Sequence, residues 1–546
     1  MRKITLASFV LGLLGAGCTL LMNTAEPIQC RTNGDCDGNP SLRGRVCEQG
    51  FCVVPTAPIV PVSTDAGPGC VSTQLCTQAN SSQPSICRKA GEPCIPIHTK
   101  DCPKVVGAWN DPKAIFIGAI EPQHFKQLDG SLPEVPYIDR FIRAVNLAVE
   151  EHAAASPQGI VVGGQRRPLA VVHCDSYADP TKTLSAFDHL VDVVGAQSLI
   201  VVRDEDLATI TQKAITKQVA IACADCGAPI PIGPLAWQMT PATANEAPLT
   251  AWRVADLETK IRNETGTTAP LKVAVLAEGS APAIAFTQAL APVLKWNNDK
   301  SITENGSDFF ILTTGNPLKE AIPHGKHADD ILAFGPDILV VAMGSDFPKH
   351  FLTYLESKWP ANKKPHYILT QLSYEVAPYA DFLAANDELR ERFSGTHPLV
   401  TPELRANIES YTVRYRMQNN NKAPDSNYSG YEAFYSLAFA ITSAGAKGIV
   451  DGPTISAGFE SLVSGTTIDL GPQTLNTAMA LLSSRATVDL RGLWSNLDWN
   501  TQTRENIGDA AMFCFTKQGG ALALKDDAGP HYIGKTKTVT GSYACD

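Results

Sequence analysis

Between Arg167 and Ile230, three short apolar runs (Leu169–Val172, Ser198–Val202 and Val219–Ala222) alternate with two amphipathic stretches, Pro180–Val194 and Glu205–Lys217. Apolar runs of strand length suit strands buried on both faces, and longer stretches with one polar face suit the helices that cover them. The alternation predicts consecutive βαβ units on a parallel sheet, a class whose ligands bind off the carboxyl ends of the strands. At those ends the chain reads His173-Cys174-Asp175-Ser176, Arg203-Asp204-Glu205 and Cys223-Ala224-Asp225-Cys226.

The pattern continues in both directions. Upstream, Ile115–Ile120 is an apolar run of strand length, and Tyr137–His152 puts Ile138, Phe141, Ile142, Val145 and Val149 on one helical face. Downstream, the Pro-rich segment Pro229–Pro241 interrupts the pattern, and Ala244–Thr265 predicts a long helix. A second α/β unit follows, with strands at Leu271–Leu276, Phe309–Leu312, Asp337–Ala342 and Tyr367–Thr370 and helices at Ala281–Trp296 and Phe347–Lys358. The remainder predicts helices over Thr401–Asn419, Tyr428–Ala444, Ser456–Ser464 and Thr474–Ser483, then β structure over Thr487–Leu493 and Ala511–Thr516. The expected fold class is α/β, with two lobes on parallel sheets.

Composition narrows the setting. With 546 residues, 44% of them hydrophobic, the chain can build more than one core. Its net charge of −10 is spread without a basic cluster, which argues against a nucleic-acid partner. Residues 1–17, MRKITLASFVLGLLGAG, read as a signal peptide: a basic start, a short apolar core and small residues before Cys18. The run Leu14-Gly15-Ala16-Gly17-Cys18 resembles a bacterial lipobox with Gly15 in place of the usual Leu. It implies lipidation at Cys18 and a mature chain attached to a membrane through that lipid, in the periplasm or at the outer membrane or cell surface.

Fifteen Cys residues in an exported chain point to disulfides. Cys30, Cys36, Cys47 and Cys52 are followed by Cys70, Cys76, Cys87 and Cys94, and the first three of each set lie 40 positions apart. Two tandem modules, 30–52 and 70–94, are expected, each closed by two bridges whose pairing the spacing leaves open, with 53–69 as a Pro-rich spacer. Neither module contains His or the close Cys pairs of a zinc finger, so no metal is expected. Residues 18–105 read as a stalk. Cys514 and Cys545 are placed to staple the C-terminal tail, and Cys223 with Cys226 reads as a structural bridge, local or to Cys174 or Cys102.

The order of elements resembles the type 1 periplasmic binding proteins, in particular the branch that binds branched-chain amino acids. The carriers are the helix Phe141-Ile142-Arg143-Ala144-Val145-Asn146, the strand ending in Cys174-Asp175-Ser176, the run Gly335-Pro336-Asp337-Ile338-Leu339-Val340-Val341, and Tyr431-Glu432-Ala433 where the family has Tyr-Asp-Ala. The resemblance covers roughly residues 112–520. It implies two Rossmann-like lobes joined by three crossovers, a small ligand closed between them by hinge motion, and an ABC permease or membrane receptor as partner. On that pattern 108–245 and 375–485 form lobe I, 246–374 and 486–525 form lobe II, and 526–546 is a C-terminal tail. The chain departs from the family at Arg203-Asp204-Glu205-Asp206, an acidic turn where the amino-acid receptors carry Ser residues for a ligand carboxylate. Like charges in a poorly hydrated cleft repel, so the turn suits a cationic or hydroxyl-rich ligand, or a copy of the fold that binds another macromolecule instead. The same acids would also favour the dipole of the helix they begin.

Ligand-binding candidates follow from topology: Ser176, Tyr177, Asp204, Asp225, Ser280 and Ser345 beyond strand ends, and Trp237 and Tyr374 at lobe junctions, where a ring can stack on a ligand. The sequence shows no G-x-S-x-G, H-E-x-x-H, Walker A or strand-borne G-x-G-x-x-G motif. No catalytic residue, cofactor or metal is therefore expected. The function expected is capture of a small polar solute by an exported binding protein.

Overall fold

The structure is a computed structural model that describes residues 46–48, 51–53 and 69–545, except 126–130, 230–232, 317–320, 361–362 and 425–427. The signal peptide, Cys18, Cys30, Cys36 and most of the spacer lie outside the described residues. Residues 1–67 and 68–546 form separate units. In the first, Val46–Glu48 and Phe51–Val53 pair antiparallel with Cys47 opposite Cys52.

In the second unit, lobe I is built on strands β1 (Lys104–Gly107), β2 (Ile115–Glu121), β3 (Leu169–Asp175), β4 (Ser198–Val201), β5 (Ala220–Cys223) and β6 (Ala236–Gln238), in the order β6-β5-β4-β2-β3-β1. All neighbours are parallel except β1, which runs antiparallel to β3. Strands β2 and β3 are buried at every position, as continuous apolar runs require. Helices α1 (Pro136–Ala155), α2 (Pro180–Asp188) and α3 (Asp204–Lys217) cover this sheet. Pro136 opens α1, where its missing N–H leaves no helix bond unmade.

Lobe II carries β7 (Val273–Ala277), β8 (Phe309–Thr313), β9 (Ile338–Ala342), β10 (His366–Leu369), β11 (Phe393–Pro398), β12 (Ala510–Gln518), β13 (Ala521–Lys525), β14 (His531–Ile533) and β15 (Thr538–Thr540). The order is β8-β7-β9-β10-β11-β12-β14-β15, with β13 on β12. Pairing is parallel as far as β11 and antiparallel beyond it. The Gly335-Pro336-Asp337 run has a local cause. Gly335 ends helix α4 (His324–Phe334) at φ 63°, and Asp337 accepts from the Lys272 amide at 2.7 Å, tying the starts of β7 and β9 together.

The lobe boundaries differ from those expected. The chain leaves lobe II at 399–401, not 375, because Phe393–Pro398 pairs with both β10 and β12. Its sequence, FSGTHP, lacks an apolar run, yet all six residues are buried. Gly395 permits the fit, since a Cβ there would lie 2.3 Å from the Phe513 ring. The return to lobe II falls near 509 rather than 486, because Val488, Leu490, Leu493, Leu497 and Trp499 belong to the core of lobe I. Residues 526–546 are not a separate tail: they supply β14 and β15, and Cys545 is bonded to Cys514. The expected helix over Ala281–Trp296 stops at Leu290. Lys295–Trp296 instead forms a hairpin with Lys300–Ser301 through Asn297, Asn298 and Asp299, all with left-handed φ.

The stalk also ends early. Ile86 and Ile97 are fully buried in the lobe I core, Arg88 donates to Ala114 at 2.8 Å, and β1 joins the sheet, so residues 70–107 dock on lobe I. Within that module Cys70 pairs with Cys87 and Cys76 with Cys94, and Cys102 is bonded to Cys174 at the end of β3. The close approach of Cys70, Cys76 and Cys87 is that of two bridges rather than a metal site. Among the described residues no helix is long and apolar enough to cross a membrane.

Candidate functional site

Off the carboxyl ends of both sheets, where parallel α/β folds place ligands, lies a cleft of about 520 Å³. Lobe I lines it with Tyr137, from the first turn of α1, and with Asp225 and Gly227, from the loop after β5. That loop is closed by the Cys223–Cys226 bridge and held by Asp204, whose carboxylate accepts from the amides of Gly227 (3.1 Å) and Ala228 (3.2 Å). Burial pushes the Asp204 carboxyl up to about 6, against the pull of those amides. The first crossover adds Thr240, which donates to the Ala224 carbonyl at 2.7 Å, and Thr243, whose hydroxyl lies 3.0 Å from the Gly227 carbonyl and 2.9 Å from that of Pro282. The lobes touch here, since a Cβ on Gly227 would meet the Pro282 ring at 2.9 Å.

Lobe II lines the cleft with Glu278 after β7, Gly344 after β9, and Gln371, Tyr374 and Glu375 after β10. Glu278 accepts from the Gly344 amide at 3.0 Å. The Gln371 amide donates to Glu246 at 2.9 Å, and Glu246 is a buried acid of the first crossover that also accepts from Thr396 at 2.6 Å. Tyr374 stacks on His397 at 4.4 Å and meets Trp494 edge-on at 6.4 Å. Trp494 is held by Glu432, on the helix Ser429–Ala446, which accepts from the Trp494 amide at 2.8 Å. Burial raises the Glu432 carboxyl to about 7, against the same backbone bonds.

The acidic turn is resolved into separate roles. Asp204, Glu205 and Asp206 form the first turn of α3, favourable to its dipole. Asp206 is buried and accepts from Thr183 (2.7 Å), Arg203 (3.0 Å) and Ser176 (3.3 Å), fastening α2 to α3. Asp204, Glu205 and Arg203 line a second cavity of about 820 Å³, closed on the lobe II side by Gly279, Ala281 and Asn316.

The other expected residues divide. Asp225 and Tyr374 line the first cleft, while Ser345 lines a side pocket of about 160 Å³ that shares Gly344, Leu372 and Glu375 with it. Ser280 precedes the helix Ala281–Leu290, and its hydroxyl makes no hydrogen bond. Ser176 is buried against Asp206, and Tyr177, at φ 52°, stacks on His124. Neither lines a cavity described above. Trp237 needs correction: it lies in β6, fully buried, stacked on Phe459 at 5.0 Å and donating to Ser456 at 2.8 Å, so it packs the lobe I core. His173 is buried with its ring nitrogens on Glu121 (2.8 Å) and Asn146 (3.1 Å), apart from any Cys-borne metal chemistry. Glu278, Gln371, Glu375 and Trp494 escaped the sequence reading. Two of them stood near a signal there: Glu278 lies two residues beyond the predicted strand Leu271–Leu276 and two before Ser280, and Glu375 adjoins Tyr374.

No protein-family model matches the sequence, and no curated protein matches it. Solved structures do. A type 1 periplasmic binding protein from Bordetella pertussis Tohama I superposes with a TM-score of 0.53 at 14% identity, over 76% of this chain and 100% of its own. A leucine binding protein from Thermotoga maritima gives 0.50 at 12%, over 76% and 98%. A Rhodopseudomonas palustris HaA2 solute binding protein of an ABC transporter, in complex with p-hydroxybenzoic acid, gives 0.50 at 12%, over 79% and 98%. The chain has the fold of the type 1 periplasmic binding proteins.

Proposed function

We propose that this protein is an exported solute-binding receptor that captures a small ligand between its lobes. A transporter or membrane receptor would take up or sense that ligand, and Cys18 would carry the lipid anchor. The observation that supports this reading is the cleft of about 520 Å³, lined from both sheets at their carboxyl ends and by Thr240 and Thr243 of the first crossover. A ligand touching Asp225 and Tyr137 on one side and Tyr374 and Glu375 on the other makes its full set of contacts only when the lobes are closed, so binding favours closure. Of the expected residues, Asp225 and Tyr374 are the ones we assign to this role, joined by Tyr137, Glu375 and Trp494. A thermal-shift screen of the full chain against amino acids, amides, amines, aromatic acids and sugars tests the reading, because a ligand that binds only the folded state raises the melting temperature. At one hundred times Kd the stabilisation is about 2.7 kcal/mol. No shift from any class, with the chain folded, would leave the fold serving another purpose, such as binding a macromolecule at the cell surface.

A further inference from the structure

The cleft is built against anions. In a parallel α/β fold the backbone amides beyond the strand ends are the natural donors to a ligand carboxylate. Here the protein's own acidic side chains occupy them: Asp204 takes the amides of Gly227 and Ala228, Glu278 takes Gly344, and Glu246 takes Gln371. The hydroxyl protons are committed too, Thr240 to the Ala224 carbonyl and Thr243 within reach of two carbonyls. A hydroxyl has one proton to give.

The charges and rings point the same way. Asp225, Glu278 and Glu375 line the first cleft, and among the described residues no Lys, Arg or His does. The neighbouring cavity adds Asp179, Asp204, Glu205 and Asp206 against a single guanidinium, Arg203, which is already paired with Asp206 at 3.0 Å. A field of one sign focused between low-dielectric walls concentrates ligands of the opposite sign. Independently of charge, the rings of Tyr137, Tyr374 and Trp494 line the cleft, the residue types whose faces attract cations.

Resting on the receptor reading above, we propose that the ligand is an organic cation carrying an ammonium group, held between Asp225 on lobe I and Glu278 and Glu375 on lobe II and covered by the aromatic rings. The charge crosses the lobe interface, so closure brings carboxylates from both sides onto one cation.

Isothermal titration of the full chain with choline, spermidine, leucine and p-hydroxybenzoate tests this. At least one of the two cations is expected to bind, with affinity falling as salt rises from low to high ionic strength. Glu375→Gln and Asp225→Asn, each checked for an unchanged melt without ligand, are each expected to weaken that binding about tenfold, the factor that corresponds to 1.4 kcal/mol. Cation binding that both variants leave intact would place it outside this cleft and overturn the proposal. Binding of leucine or p-hydroxybenzoate with neither cation would also overturn it while leaving the receptor reading in place. Silence from all four, in a chain that also shows no shift in the broad thermal screen, would overturn both.

Discussion

Lobe I meets the cleft on loops pinned by disulfide bridges as well as by carboxylates that accept backbone amides, whereas among the described residues no bridge reaches the cleft loops of lobe II. On lobe I, Cys102–Cys174 fastens the end of β3, Cys223–Cys226 closes the loop after β5, and Asp204 and Asp206 tie that loop and α2 to the start of α3. On lobe II the described bridge is Cys514–Cys545, in the antiparallel part of the sheet beyond β11, while the cleft loops depend on Glu278 and on Glu246 from the crossover. On the proposed receptor reading, lobe I would act as a fixed platform and the loops that adjust around a ligand would belong to lobe II. Hydrogen-bonded loops open at lower free energy than cross-linked ones, which suits them to a closing motion.

Removing the platform's long-range latch gives the largest expected effect. Cys102 and Cys174 are separated by 72 positions and Cys514 and Cys545 by 31. In the chain-entropy account, the double substitution Cys102→Ala with Cys174→Ala costs about 4 kcal/mol and the C-terminal pair about 0.7 kcal/mol less. Urea unfolding of the two double variants, read by hydrogen exchange of β3 and β12 separately, checks whether each loss stays in its own lobe. Equal losses in both lobes from either variant would mean that the platform and the adjustable lobe unfold as one unit.

The crossover acid gives the next largest. Burial pushes the Glu246 carboxyl up from 4.5 to about 8, against the pull of Thr396 and the Gln371 amide. A group with a raised folded pKa binds its proton more tightly when folded. Its contribution to stability is thus complete below about pH 4.5 and is lost as the pH rises through about 8. The slope it adds is at most about 1.4 kcal/mol per pH unit. Glu246→Gln is expected to flatten the decline in urea midpoint between about pH 5 and 8, leaving the smaller contribution of Glu432, which burial raises to about 7. An unchanged slope would show that Glu246 keeps its ordinary acidity and that the Gln371 loop is not held by a protonated carboxyl.

How much of this was legible in the sequence follows from burial on each element. The parallel strands of both lobes could be read because strands covered on two faces must be apolar, as at Ile115–Glu121 and Leu169–Asp175. Strand β11 could not, because Phe393–Pro398 takes its burial from β10 and β12 on either side rather than from its own side chains, and the lobe boundaries shifted with it. Asp225 could be placed by topology, since it lies two residues beyond the end of β5. Trp494 could not, because it reaches the cleft through Glu432, 62 positions earlier in the chain. The motif Tyr431-Glu432-Ala433 was visible; the loop its acid holds was not.

Trp237 gives the smallest expected effect, and it separates the core of the platform from the surface that meets the ligand. The Pro-rich segment around Trp237 reads as a junction loop, but the ring stacks flat on Phe459, meets Trp499 edge-on at 6.0 Å and donates to Ser456. Trp237→Phe keeps an aromatic ring in the core and removes the indole N–H, so the loss of stability is about 1 kcal/mol from the hydrogen bond, with a further contribution from the vacated volume. Ligand affinity should be unchanged, because no part of the side chain reaches the cleft. Tyr374→Phe is the counterpart: it keeps the stack on His397 and alters only the hydroxyl edge of a ring that lines the cleft. Titration of both variants with whichever compound the thermal screen identifies decides the matter. A fall in affinity for Trp237→Phe larger than for Tyr374→Phe would mean that the lobe I core moves on binding and is not a fixed platform.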